Sequence, residues 1–350
     1  MYGAGGRVGG PAPSTYSFPM ARPRSTTTTR WTGAVAVTAG GLLLSACGGG
    51  PAAAPTTGSV AHTTVAAPGA LRYAAPDPVA RGTALVAVSC TAERACFALD
   101  PAGRAYRLTG GAWRGPTNIH ATHAQPGNPT ISCSDAPVCV AAPTGGTAVW
   151  DGRRWTAPRS ADNTAVAAVG CAPTGVCVAV DTSGATFDYH GVWHSSAADG
   201  RSVSAVSCAS AAFCVSVATA ISMWDGRRWR STETPPVTSA FTAVSCPTTT
   251  FCMAVDRLGQ ALRWNGRTWS APDAVDPNGL HGAALTAVSC PTATLCVAAD
   301  DAGTVLTWSG EGWTPTDVDS DLPLTGLSCP TPTYCVAVDR DGHAVIGRAG

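Results

Sequence analysis

The 350-residue chain contains no lysine: all 22 of its basic residues are arginine. No acidic residue precedes Cys47, and only 13% of all residues carry charge. After Cys47, eighteen arginines face twenty-two acids, a formal charge of −4, and no run of five basic residues occurs. Nucleic-acid binding is excluded, because backbone affinity needs clustered cations that displace counterions. Charge this sparse beside 39 Gly and 27 Pro excludes a coiled coil or helical bundle, and a 45% hydrophobic content excludes a wholly disordered chain. The missing lysine reads as coding bias of a GC-rich genome. Also absent are a Gly-rich phosphate loop, a Gly-x-Ser-x-Gly elbow and a His-Glu-x-x-His helix. A long hydrophobic run is lacking too: the 14 residues from Gly33 to Ala46 would span about 21 Å as a helix, short of the roughly 30 Å hydrocarbon core.

What is there begins with an address. Arg22, Arg24 and Arg30 precede the apolar stretch, which ends Leu44-Ser45-Ala46-Cys47. A cationic stretch, a short apolar stretch and small residues make a secretion signal over residues 1–46, with translation starting at Met1 or at Met20. The last four residues resemble the lipobox of bacterial lipoproteins, a resemblance that implies a diacylglyceryl group on Cys47 after cleavage before it; a buried unpaired Cys is the alternative. Residues 47–68, rich in Gly, Pro, Ala and Thr, are expected to be the lipidated Cys and a flexible tether, and residues 69–350 the folded domain.

The other fourteen cysteines form seven pairs with one spacing: Cys90/Cys96, Cys133/Cys139, Cys171/Cys177, Cys208/Cys214, Cys246/Cys252, Cys290/Cys296 and Cys329/Cys335. A period near 40 residues marks a repeat architecture. Within a repeat, Ala-Val-Ser-Cys predicts a strand, the next five residues a turn, and Cys-Val-Ala-Val-Asp a second strand. Asp-x-x-Gly (Asp100, Asp181, Asp256, Asp300, Asp339) turns into a third strand ending at Trp150, Trp224, Trp264 or Trp308. Asp-Gly or Asn-Gly then predicts a hairpin with two positive-φ residues, and a second Trp opens a fourth strand. Four antiparallel strands, seven times over, predict an all-β, seven-bladed β-propeller. The last repeat lacks a fourth strand, while Leu71 to Val79 resembles the fourth-strand text Arg267 to Val275. An N-terminal strand is therefore expected to close the ring.

The cysteines of a pair end one strand and begin its antiparallel neighbour, within the usual 4.4–6.8 Å Cα reach of a disulfide, so one disulfide per blade is predicted. Zinc and redox roles fit seven dispersed identical pairs less well. The paired tryptophans are expected in the core between blades, with sugar stacking as the rival. Asp-x-x-Gly loosely resembles the Asp-box of sialidase-like propellers, with a longer interval from Asp to Gly; that family's arginine triad and tyrosine nucleophile find no place in this sequence.

Asp317, Asp319 and Asp321 alternate like the opening of a calcium loop, but the central Gly and distant Glu of a helix-loop-helix site are missing, so a solvated loop is expected and no metal or cofactor is assigned. His120, His123, Gln125 and Asn128 sit in the long connection between the first two repeats; Asp273, Asp276, Asn278 and His281 sit in that between the fifth and sixth. No nucleophile is tied to these histidines by spacing, and they are read as candidates for a binding face. Residues 70–350 as a whole resemble secreted bacterial propeller-repeat lipoproteins of the WD40/YVTN/BNR-like kind. With the disulfide turns and Trp-flanked turns expected on one regular face and the two longest insertions, about 114–130 and 270–286, on the other, the reading is a monomeric, lipid-anchored extracytoplasmic module that binds an envelope protein or polymer through the second face without catalysis. The alternatives are an enzyme acting on envelope glycans or peptides, a sialidase-like glycosidase or a lyase, and a lectin.

Overall fold

The structure, a computed structural model, describes residues 70–119, 128–136, 138–143, 146–156, 165–196, 200–234, 237, 239–275, 283–319 and 322–350. All of these residues belong to one compact unit. The fold is all-β. Two short N-terminal strands, β1 (Leu71–Tyr73) and β2 (Asp77–Pro78), precede the first blade: β3 (Ala87–Ala92), β4 (Ala95–Leu99), β5 (Arg104–Thr109) and β6 (Ala112–Asn118). The second is β7 (Thr130–Cys133), β8 (Cys139–Ala142) and β9 (Ala148–Trp150); the third is β10 (Val166–Cys171), β11 (Cys177–Asp181), β12 (Thr186–Tyr189) and β13 (Trp193–Ser196). The fourth comprises β14 (Ala205–Ser210), β15 (Phe213–Val217), β16 (Ile221–Trp224) and β17 (Trp229–Ser231), and the fifth β18 (Phe241–Thr248), β19 (Phe251–Asp256), β20 (Gln260–Trp264) and β21 (Asp273–Ala274). The sixth has β22 (Leu285–Thr292), β23 (Leu295–Asp300), β24 (Thr304–Trp308) and β25 (Trp313–Asp317), and the seventh β26 (Leu324–Thr331), β27 (Tyr334–Asp339) and β28 (His343–Ala349). Strands of a blade pair in chain order, all antiparallel.

The first strands of successive blades pack on one another, and β26 packs on β3, so the ring is closed with these strands innermost. Closure follows the sequence expectation: Leu71 pairs with Ala349, Tyr73 with Gly347, and Asp77 with Ala344, filling the outer position of the seventh blade. The edge of β28 is thereby covered. In the second blade the fourth position is occupied, among the described residues, by one bridge, Trp150 to Trp155.

The second strands are apolar along nearly their whole length, Ser216 of β15 and the terminal aspartates excepted, because both of their faces are covered by neighbouring blades. The core is correspondingly divided into seven clusters, one at each seam; Val336 and Val338 of the last blade, for example, pack with Ala98 and Leu108 of the first. The ten described tryptophans are buried or half-buried, as the core reading expects, and cross-strand pairs such as Trp224/Trp229 lie 5.6 Å apart between centroids.

All seven predicted disulfides form: Cys90 with Cys96, Cys133 with Cys139, Cys171 with Cys177, Cys208 with Cys214, Cys246 with Cys252, Cys290 with Cys296 and Cys329 with Cys335. Seven disulfides suggest an oxidising, extracytoplasmic setting. The expected Cα span needs correction, however. The separations are 3.9–4.1 Å, below the lower limit of 4.4 Å, because the two cysteines face each other across the ladder, as Cys90 does Cys96 and Cys208 does Cys214. The Trp-flanked turns also differ from expectation. Only Gly152, Gly226, Gly266 and Gly310 take positive φ there. Asp151, Asp225 and Asn265 keep ordinary φ, and each side chain instead accepts hydrogen bonds from the amides two and three residues on. A side-chain-capped four-residue turn replaces the two-residue one.

A feature not read from the sequence laces the inner ring. The serine of the Ser-Cys step accepts a hydrogen bond from the cysteine amide of the following blade: Cys133 to Ser89, Cys171 to Ser132, Cys246 to Ser207, Cys290 to Ser245 and Cys329 to Ser289, each at 2.9 Å. The Cys90 amide donates to Ser328 at 3.0 Å and closes the circle. Gly170 stands where the third blade would carry its serine, since a Cβ there would lie 2.9 Å from both the Val206 side chain and carbonyl. At that seam the Trp229 indole donates to the Thr186 hydroxyl farther out.

Candidate functional site

The topology gives the ring two unlike faces. The disulfide turns and the Trp-flanked turns share one. The Asp-x-x-Gly turns and the strand ends from which the interblade connections leave share the other, among them the ends that flank the two long connections, at Ile119 and Val275. The cysteines belong to the frame of the ring. The second of each pair (Cys96, Cys139, Cys177, Cys214, Cys252, Cys296 and Cys335) is fully buried, and each closes its disulfide within the core, so none of these sulfurs is a thiol open to ligands on either face.

The five Asp turns are built alike. Each Asp is buried at the end of a second strand, and its Oδ1 accepts from the amides two and four residues on, as in Asp339 with Asp341 and His343 at 2.8 and 2.9 Å. The turn glycine supplies the positive φ, 85° at Gly342. The expected turn chemistry is therefore present. What varies is the group facing Oδ2: the Arg104 guanidinium and Tyr106 hydroxyl at Asp100, the His343 ring at Asp339, and no hydrogen-bond partner among the described residues at Asp256.

The turn of the seventh blade gathers most chemistry. His343 Nδ1–H donates to Asp339 Oδ2 at 2.9 Å. Asp319 reaches the same place from the connection between the sixth and seventh blades, and ligand atoms of Asp319, Asp339 and His343 all lie within 4.8 Å of one another. Asp319 is only 9% exposed and Asp339 0%. The Val318 and Asp319 amides donate to the Gly303 carbonyl, the Leu322 amide donates back to Asp319 O, and a Cβ on Gly303 would overlap the Asp319 carbonyl. On the other side the Val79 and Ala80 amides donate to the Gly342 carbonyl at 2.8 Å, so the closing segment lies against this turn.

Burial, then the Asp339 hydrogen bond and charge, push the Asp319 carboxyl up to about 6. Burial opposes the charge of Asp339 as well, but hydrogen bonds from Asp319, from the His343 amide and ring and from the Asp341 amide hold it below the usual carboxylate range. One proton shared between two carboxyls, with the anionic end on Asp339, fits both directions.

The sequence candidates are distributed unevenly. Asn128 and Asp273 are exposed on the connection face. His120, His123, Gln125, Asp276, Asn278, His281, Asp321 and Cys47 lie outside the described residues. Asp317 is exposed in β25, whereas Asp319 is buried and turned toward Asp339 and His343, so the solvated-loop expectation does not hold at that residue. The pair Asp339 and His343 was visible as a four-residue step across an Asp-x-x-Gly turn; nothing in the sequence joined Asp319 to it.

No family model matches the chain, and no curated protein matches it. Solved structures do. One of YCF48 bound to a D1 peptide aligns at 11% identity over 80% of this chain and 95% of its own, with a TM-score of 0.61. A catalytically inactive virginiamycin B lyase from Staphylococcus aureus with quinupristin aligns at 8% identity over 80% and 99%, TM-score 0.67. The WD40 repeats of RRP9 align at 10% identity over 80% and 100%, TM-score 0.65. At these identities the likeness is one of fold.

Proposed function

We propose that the chain is a lipid-anchored, extracytoplasmic β-propeller, a monomer that binds an envelope protein or polymer through the face carrying its interblade connections, without catalysis. Residues 1–46 serve as the signal region, Cys47 carries the lipid, and residues up to 68 tether the ring, which begins at 69. One observation carries this reading: both long connections leave from the same face of a ring whose opposite face is stapled by seven disulfides. Variable text on a rigid frame is how repeat scaffolds make binding sites. The YCF48 structure holds a peptide on the same fold, which favours a protein or peptide partner.

The test replaces both insertions, residues 114–130 and 270–286, by the short connection between the third and fourth repeats. Crosslinking on intact cells with capture and mass spectrometry should find a reproducible partner with the native ring and lose it with the exchange. A partner retained by the exchanged ring refutes the assignment of the face. An envelope enzyme is the second reading, favoured by the acid pair and histidine on the same face; turnover of envelope glycans or peptides that is abolished by Asp319→Asn would establish it.

A further inference from the structure

We propose that Asp319, Asp339 and His343 bind a divalent transition-metal ion of the zinc or manganese kind at the seam between the sixth and seventh blades. Two carboxylates and an imidazole are a donor set for such ions; calcium and magnesium prefer all-oxygen sets of six or more donors. One of the three separations already suits a bound shell, and the third donor has only to close in. Asp339 Oδ2 and His343 Nδ1 lie 2.9 Å apart, and two adjacent ligands of an octahedral ion, at bonds of about 2.1 Å, stand about 3 Å apart. The third donor is within 4.8 Å of both.

A second observation points to a ligand independently of the cluster. Asp319 is 9% exposed, and its Oδ2 accepts no hydrogen bond from any described residue, the proton shared with Asp339 being its own. An orphaned buried carboxylate oxygen is costly, and a cation beside it removes the cost. The donors are also held in advance. Asp339 spends Oδ1 on the Asp341 and His343 amides and leaves Oδ2 for an ion. Asp319 is fixed through the Gly303 carbonyl, and His343 by its pairing with Pro78 of the closing strand. On binding, the imidazole proton sits on Nε2, the Nδ1 hydrogen bond to Asp339 gives way to the ion, and water fills the remaining positions. Because Asp319 comes from the connection out of the sixth blade, and the other two from the blade completed by the N-terminal strands, the ion ties that connection to the closure.

The test titrates the full, disulfide-intact, chelator-stripped chain with ZnCl2, MnCl2 and CaCl2 by calorimetry, alongside Asp319→Asn and His343→Gln, with near-UV circular dichroism as the check of folding. One zinc or manganese ion should bind per chain, raise the thermal midpoint of the native ring, and lose at least about 100-fold in affinity in each variant. No saturable binding of zinc or manganese up to 1 mM (about the weakest affinity of interest), binding of calcium alone, or affinity unchanged in both variants overturns the proposal; the last would place the ion at other histidines. If a variant fails to fold, X-ray absorption of the zinc-loaded native chain decides: a shell of oxygens with one imidazole supports the site, and sulfur or several imidazoles refutes it.

Discussion

Removing the hydroxyl of Ser289 tests whether the serine lace holds the blades together. Ser289→Ala deletes the acceptor that lies 2.9 Å from the Cys329 amide, and Cys329 is 6% exposed, so water replaces the lost partner poorly. A buried donor left unpaired costs about 1–3 kcal/mol, and partial access at this seam puts the expected loss near 1–2 kcal/mol. Ser89→Ala should behave alike at the seam of the first two blades through Cys133, and the double variant of Ser89 and Ser289 should lose the sum, since the two bonds join different blades and share no partner. Gly170→Ser makes the contrary case. It installs the residue that the other blades carry, but the added Cβ meets the Val206 side chain and carbonyl at 2.9 Å, so it should destabilise by about 1–3 kcal/mol rather than supply a missing bond. Urea unfolding with intact disulfides, followed by tryptophan fluorescence, reads all four variants. Ser204→Ala, at an exposed position, is the control. Serine variants within 0.3 kcal/mol (about the error of additivity) of the native chain, or a stabilised Gly170→Ser, would refute the account of the lace.

Two further outcomes follow from the seventh blade. In chelator, Asp319 keeps its proton up to about 6 when folded but only to about 4 when unfolded; stability should therefore fall as pH rises between those values. The depressed Asp339 acts oppositely, its contribution being lost as pH falls below the usual carboxylate range. Asp319→Asn should abolish the fall between pH 4 and 6 (about one carboxyl titration) in unfolding curves, and an unchanged slope would exclude Asp319 as its source. At the closure, a Cβ on Gly347 would stand 2.6 Å from the Tyr73 ring, so Gly347→Ala should displace β1 and open the chain to chymotrypsin after Tyr73, while the native ring resists; equal cleavage of both would show that the strand is not held by this contact.

Most of the ring was legible because its signals are local and repeated. Cysteine spacing, the Val-Ala-Val runs and the Asp-x-x-Gly turns each specify a strand end or a turn, and Leu71 to Val79 carried the text of the strand missing from the last blade. The Trp-flanked turns were misjudged in type, because Asp-Gly permits both a two-residue hairpin and a side-chain-capped turn, and the two arginines after Asp151 or Asp225 lengthen the loop enough for the second. The serine lace and the Asp319 contact were not legible at all. Both join residues of different blades that only the packing of blade on blade brings together: Cys329 meets Ser289 across 40 positions and Cys90 meets Ser328 across 238, and Asp319 reaches Asp339 because the sixth connection folds down onto Gly303.

The lace also bears on where such a chain can begin and end. Its hydrogen bonds run in one direction around the circle, and the seam between the seventh and first blades has both a serine bond, Ser328 to Cys90, and the peptide from β2 to β3, whereas the seam beyond Gly170 has the peptide alone. Joining the present ends, which meet within the seventh blade, and cutting anew between β13 and β14 would remove that peptide and leave the circle's chain break where the inner strands share no serine bond. Of the seven circular permutants cut between blades, that one should be the least stable, although its sequence, its blades and its disulfides would all be those of the parent.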